Sequence, residues 1–233
     1  MNTDLDHHPA KELLANHIQG TLSTGVSVAL SAHLELCDSC RASSRELEAE
    51  ASDTWLQESG EVSANDFSKL IKDIVVLAQE NPSESRQEED FPISKIHMHD
   101  HSFDLPRVLA KAANDRLEWK RLAGGINQAV IDIDSETQCE FIYMSPGSKT
   151  PMHRHEGSEI TLVLDGSFSD SSGTYGPADF IVREGEDEHQ PVSEEGCLCF
   201  AVLDKPLTFT RGLARLFNPL NKYKFRKTTA HQV

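Results

Sequence analysis

Between Gly147 and Gly166 the chain reads Gly147-x5-His153-x-His155-x3-Glu159-x6-Gly166, and no other stretch limits the possible folds so tightly. Residues two apart on a β-strand point to the same side. His153 and His155 therefore share a face, and Glu159, reached after a short turn, can rejoin that face from the next strand. The residue types agree on a chemistry. Neutral imidazoles with one carboxylate suit a divalent transition metal such as Zn, Fe, Mn or Ni. The pattern thus predicts two adjacent strands with a cation held between them.

That spacing resembles the first motif of the cupin β-barrels. A second cupin motif should supply one more histidine, and His189 stands where it is expected. Around it the match thins. Ala178, Glu184 and Glu186 occupy positions where cupins carry Gly, Pro and Gly, and Ser193 stands where Asn is common. The segment Tyr175-Gly176-Pro177-Ala178-Asp179-Phe180 reads as a turn leading into a strand. The expected barrel site is His153, His155, Glu159 and His189. Strands are expected over 117–122, 128–133 and 141–144 before the motif, and over 159–164, 167–175, 180–183 and 197–203 after it. Closing them gives a barrel with room for a metal and a small ligand.

A second dense cluster lies near the N-terminus: His33-x3-Cys37-x2-Cys40. On a helix, residues three and four apart share a face. Two thiolates and an imidazole are good ligands for tetrahedral zinc, which needs a fourth. His7, His8 and His17 are the upstream candidates. Periodicity is ambiguous here, because Val26, Val28, Leu30, Ala32, Leu34 and Leu36 alternate as in a strand. The ligand spacing and the flanking patterns favour helix. Helices are expected over 9–19, 24–36 and 41–56, the third with Leu47, Ala51 and Trp55 inward. A fourth carries the stripe Phe67, Leu70, Ile71, Ile74, Val75 and Ala78, capped by Ser63 or Asn65. That stripe can pack internally or meet a partner. Four short helices make a small core, and a zinc ion would supply stability.

Taken in order, these motifs resemble the ChrR-type zinc-binding anti-sigma factors. The likeness spans nearly the whole chain and includes Gly20-Thr21-Leu22-Ser23 and Ala32-His33-Leu34-Glu35-Leu36-Cys37-Asp38-Ser39-Cys40. It implies His8 as the fourth ligand beside His33, Cys37 and Cys40. It also implies a role for the helices in sequestering an extracytoplasmic-function sigma factor, with release under singlet oxygen or a related oxidant. The family has a Cys-x-Cys pair late in the barrel, and Cys197-Leu198-Cys199 lies in a comparable place.

The expected fold class is α+β multidomain, a zinc-bound bundle of about four helices followed by a cupin β-barrel. The expected division is 1–80 for the helical domain, 81–92 for a linker of polar composition (Asn81 to Asp90), and 93–220 for the barrel. The 233 residues suffice for two modest cores. A net charge of −16 argues against direct nucleic-acid binding and suits a basic protein partner. Mean hydropathy is −0.44, no apolar run is long enough for a membrane helix, and Met1 to Asp6 lacks the features of a secretory signal. A cytoplasmic location follows as an expectation. Five cysteines, two of them in a metal pattern, fit a reducing compartment. Cys139 reads as a small buried hydrophobe. Cys197 and Cys199 read as core residues sharing a strand face, with a redox role as the rival. His97, His99 and His101 read as a solvated edge. A rival function is a metal-dependent cupin enzyme, a dioxygenase or isomerase. Against it stands the lack of an evident acid, base or arginine cluster beside the site, Arg154, Arg183 and Arg211 being isolated in sequence.

Overall fold

A computed structural model describes residues 7–58, 68–69, 71–76, 95–98, 101–113, 117–185 and 188–229. Three helices come first: α1 (Lys11–Ile18), α2 (Thr24–Leu36) and α3 (Asp38–Glu58). Residues 68–69 and 71–76 are also helical. The expected 81–92 linker, the caps Ser63 and Asn65, and Phe67, Leu70, Ala78, His99 and Glu186 lie outside the described residues.

The strand-like alternation of 26–36 is resolved in favour of helix. Gly25, Ala29, Ala32 and His33 are buried, at offsets of four, three and one, which is the period of a helix. Small residues on that face allow close approach. At Gly25 an added Cβ would lie 2.6 Å from Cys139 Sγ and closer still to Thr137 Oγ1. The Gly25 N–H donates to Asp134 Oδ2 at 2.5 Å, placing a carboxylate at the positive end of α2.

The remaining chain is mostly strand. A hairpin of β1 (Lys95–Met98) and β2 (His101–Asp104) precedes a short helix, α4 (Arg107–Ala113). His97 and His101 are exposed on this hairpin. Then follow β3 (Lys120–Arg121), β4 (Ile126–Ile131), β5 (Gln138–Met144), β6 (Ser148–Lys149), β7 (His153–His155), β8 (Ser158–Gly166), β9 (Phe168–Asp170), β10 (Gly173–Tyr175), β11 (Phe180–Glu184), β12 (Val192–Ser193), β13 (Cys197–Leu203) and β14 (Leu207–Phe209). The helix α5 (Asn218–Thr229) closes the described chain. A six-stranded sheet, β11-β8-β13-β5-β4-β3, faces a four-stranded one, β10-β9-β12-β6, and β14 pairs with β7. All these pairings are antiparallel. The architecture is a cupin-like β-sandwich.

Helices and sheet share one interior. Leu14, Ala29, Leu30 and Ala32 belong to the same buried cluster as Leu109, Phe141, Leu162, Phe180 and Phe200. Polar contacts reinforce the junction, because the Glu35 carboxylate accepts the Arg107 and Val108 N–H groups at 2.8 and 3.0 Å and so caps α4. One expectation about side chains needs correction: Ala51 and Trp55 on α3 are exposed, Trp55 by 67%, while Leu47 packs against the core. Of the fourth stripe, which could pack internally or meet a partner, Ile71, Ile74 and Val75 are about half exposed.

Candidate metal centres

The N-terminal cluster converges. One ligand atom from each of His8, His33, Cys37 and Cys40 lies within 4.8 Å of all the others. His33 projects from the last turn of α2, Cys37 sits at the α2–α3 junction, Cys40 lies in the first turn of α3, and His8 arrives from the lead-in to α1. His8 Nδ1 is 3.2 Å from Cys40 Sγ and 3.6 Å from Cys37 Sγ. His7 turns elsewhere, toward Asp179 and the Tyr175 ring.

The surroundings favour a cation. His33 is fully buried, and burial holds it neutral by lowering its pKa to about 4. Its Nδ1–H donates to the Ala178 carbonyl at 2.9 Å, which leaves Nε2 a bare lone pair with no hydrogen-bond partner. A backbone carbonyl that fixes the tautomer in this way is common for metal-ligating histidines. Burial opposes ionisation of Cys37, but hydrogen bonds from Ser39 and Cys40 bring that thiol below its ordinary range. Burial and the neighbouring Cys37 push Cys40 up to about 12. A second adjacent thiolate is costly until a cation neutralises the pair. The donor set fits tetrahedral zinc.

In the barrel, His153 and His155 occupy β7, His189 bridges back to His153 through backbone hydrogen bonds, and Glu159 opens β8. Ligand atoms of the three histidines lie within 4.8 Å of one another. His153 Nδ1–H is held by the Pro151 carbonyl at 2.9 Å and His189 Nδ1–H by Asp170 Oδ2 at 3.2 Å, so both Nε2 lone pairs turn inward. His155 Nε2 lies 3.1 Å from His189 Nε2 and 2.9 Å from Glu159 Oε2. Lone pairs this close call for a shared cation or proton. Burial, with His189 adjacent, lowers His153 to about 4. Burial alone would raise Glu159, but the hydrogen bond and charges of the surrounding histidines bring it down to about 2. Burial also lowers the pKa of His189, and imidazole lone pairs of His153 and His189 beside the Glu159 carboxylate suit a divalent transition metal.

The site opens on a cavity of about 120 Å³, largely apolar and walled in part by Ile142, Met144, Phe168 and Phe209. Three groups here escaped the sequence reading. Arg183 is not isolated. It donates to Asp170 Oδ2 and to the Tyr175 hydroxyl, a pairing made between the two sheets, β11 to β9 and β10, that linear spacing hides. Asp170 orients His189 from behind. Glu140, buried in the cavity wall, accepts from Gln128 and Gln138 at 2.7 and 2.5 Å, and desolvation raises its pKa to about 7. Acids therefore do stand beside the site. The alternation of β5 offered a hint of Glu140, since its neighbours on both sides are apolar.

The thiols of Cys197 and Cys199 are buried and 4.0 Å apart. Cys139 is fully buried, and burial drives it to about 12. Ala178 adopts φ 71°, the left-handed conformation that a glycine would take without strain.

Residues 109–206 match the family described as ChrR cupin-like domain. The anti-sigma-E factor ChrR of Cereibacter sphaeroides is 32% identical over 223 residues, which cover 91% of this chain and 96% of that protein. A crystal structure of Rhodobacter sphaeroides SigE in complex with the anti-sigma ChrR superposes with a TM-score of 0.64 at 30% identity, covering 86% of this chain and 100% of that one. Fold and clusters together define a class, a His2Cys2 helical module seated on a cupin barrel. Within that class the similarity is specific: this chain belongs to the ChrR family of anti-sigma factors.

Proposed function

We propose that the chain is an anti-sigma factor whose N-terminal helices sequester an extracytoplasmic-function sigma factor and release it under oxidative stress of the singlet-oxygen type. The supporting observation is the near full-length likeness to a relative crystallised with SigE. The half-exposed stripe of Ile71, Ile74 and Val75 supplies apolar surface for such a partner, and the −16 charge favours a basic one. His8, His33, Cys37 and Cys40 would hold Zn2+ as a structural ion. His153, His155, Glu159 and His189 would hold Zn2+ or another divalent transition metal in the sensory half. In this reading the protein is no enzyme and works in the cytoplasm; among the described residues no helix is long and apolar enough to cross a membrane. The functional division runs 1–80, 81–92 and 93–220.

Co-purification of the full chain with extracytoplasmic-function sigma factors from its own cell, with metal analysis of the same sample, tests this. A stoichiometric sigma complex is expected, abolished by His33→Ala or Cys37→Ala. Undiminished capture by both variants would remove zinc from the interface, and turnover of oxygen with a bound substrate would favour a cupin enzyme.

A further inference from the structure

His189 is joined to the other metal centre by a continuous run of contacts. Behind it, Nδ1 meets Asp170 Oδ2 at 3.2 Å. The same oxygen takes an N–H from Arg183 Nη2, which also reaches the Tyr175 hydroxyl at 3.0 Å. The guanidinium lies over the Tyr175 ring, 5.6 Å from its centroid. Against that ring packs His7, with centroids 4.7 Å apart. The backbone carbonyl of His7 accepts the Phe180 N–H at 3.0 Å, so the lead-in segment lies along β11, the edge of the main sheet. The next residue is His8. A second tie runs through the same loop, from His33 Nδ1 to the Ala178 carbonyl.

The links from His189 to Tyr175 are mostly buried, while the His7 side chain is 33% exposed. The Asp170 side chain is 0% exposed and that of Arg183 is 18% exposed. Water therefore cannot readily replace a lost partner, and a change at one member is felt by the next. Tyr175 is the informative member. Its ring packs on Phe168 and His7, for which phenylalanine would serve as well. The hydroxyl adds only the acceptor for Arg183.

We propose that Asp170, Arg183 and Tyr175 are positioning residues that make the pose of His189 depend on docking of the His7–His8 segment, so that the two metal centres are energetically coupled. Occupancy of the barrel then biases retention of the N-terminal ion, and the reverse holds by linkage. The coupling supplies a physical route from the sensory half to the helices. It rests on the proposed metal occupancy and makes no use of sigma binding.

The test uses the full chain with cobalt in the thiolate centre, where charge-transfer absorption reports that ion alone, and follows its loss to a chelator. His153→Ala removes a barrel ligand and leaves Asp170, Arg183, Tyr175 and His7 in place; of the run it meets only His189, whose ring lies 4.3 Å from its own. Emptying is expected to change the rate of cobalt loss by about fivefold or more. Tyr175→Phe, and separately His7→Ala, should bring that ratio close to one while both sites still take up metal. A ratio near one in the unaltered chain, or an unchanged ratio in both variants, overturns the proposal. Failure of either centre to bind metal would also overturn it and would be seen as missing stoichiometry; failure of sigma capture would leave it standing.

Discussion

The helical centre draws its ligands from a lead-in segment, a helix end, a junction and the next helix, whereas the barrel centre draws its own from two successive strands in different sheets, β7 and β8, and a bridged loop. The difference lies in what holds the ligands before any ion arrives. In the barrel, β7, β8 and the His153–His189 bridge fix the histidines through sheet hydrogen bonds. Around His8, Cys37 and Cys40, α1 and α3 add few residues to the core, chiefly Leu14 and Leu47, beside the face of α2 turned to the sheet. One centre is therefore a cavity made ready by its scaffold, and the other is a staple on which its scaffold depends.

The largest expected effect tests that contrast directly. Joint Cys37→Ser and Cys40→Ser should strip the zinc and melt α1 and α3, a loss of order ~10 kcal/mol in binding-linked stability. Circular dichroism should show helical signal falling while the β component persists. His153→Ala with His155→Ala should remove one metal equivalent and leave helicity unchanged; equal losses in both variants would erase the distinction.

Next comes Glu140. Its folded pKa of about 7 lies above the ordinary glutamate value of 4.5, so the folded chain binds the proton more tightly. The stability this group contributes is fully present below about pH 4.5 and is lost as pH rises toward 7, to the extent of about 3 kcal/mol. Urea melts of the metal-free chain should show Glu140→Gln more stable than the parent at pH 8 and nearly equal at pH 4.5. A pH-independent difference would break the assignment.

Smaller again is Gly25→Ala, which drives a methyl into Thr137 and Cys139 and should cost about 2 kcal/mol. Hydrogen exchange should show the protection loss concentrated in α2 and the 134–139 segment. Smallest is Ala178→Gly. It relieves a left-handed alanine, less the added freedom of the unfolded chain, for a net gain of about 0.5 kcal/mol in thermal melts.

Much of the fold was legible because ligand spacing and periodicity are local. The Cys197–Leu203 strand and the Thr24–Leu36 helix fall where the sequence places them. The helix α4 did not, as seven residues make too short a pattern, and its cap, Glu35, lies 72 positions away. The grouping of His8 with His33, Cys37 and Cys40 was reached through resemblance, since spacing alone left His7 and His17 open. Asp170 and Arg183 were invisible because they meet between two sheets, and Glu140 because Gln128 reaches it only through the pairing of β4 with β5. The inward orientation assigned to Trp55 failed because a helical stripe does not reveal how far along a helix the core extends.

The common interior described above bears on how this chain can be divided. A break placed between residues 81 and 92 would strand Leu30 and its neighbours on an uncovered greasy wall, and leave Phe180 and Leu162 facing solvent on the other fragment. Neither piece would inherit a finished surface. In a calorimeter the intact molecule should yield a single peak, and constructions that graft either half onto a foreign neighbour would have to carry a replacement for the missing side.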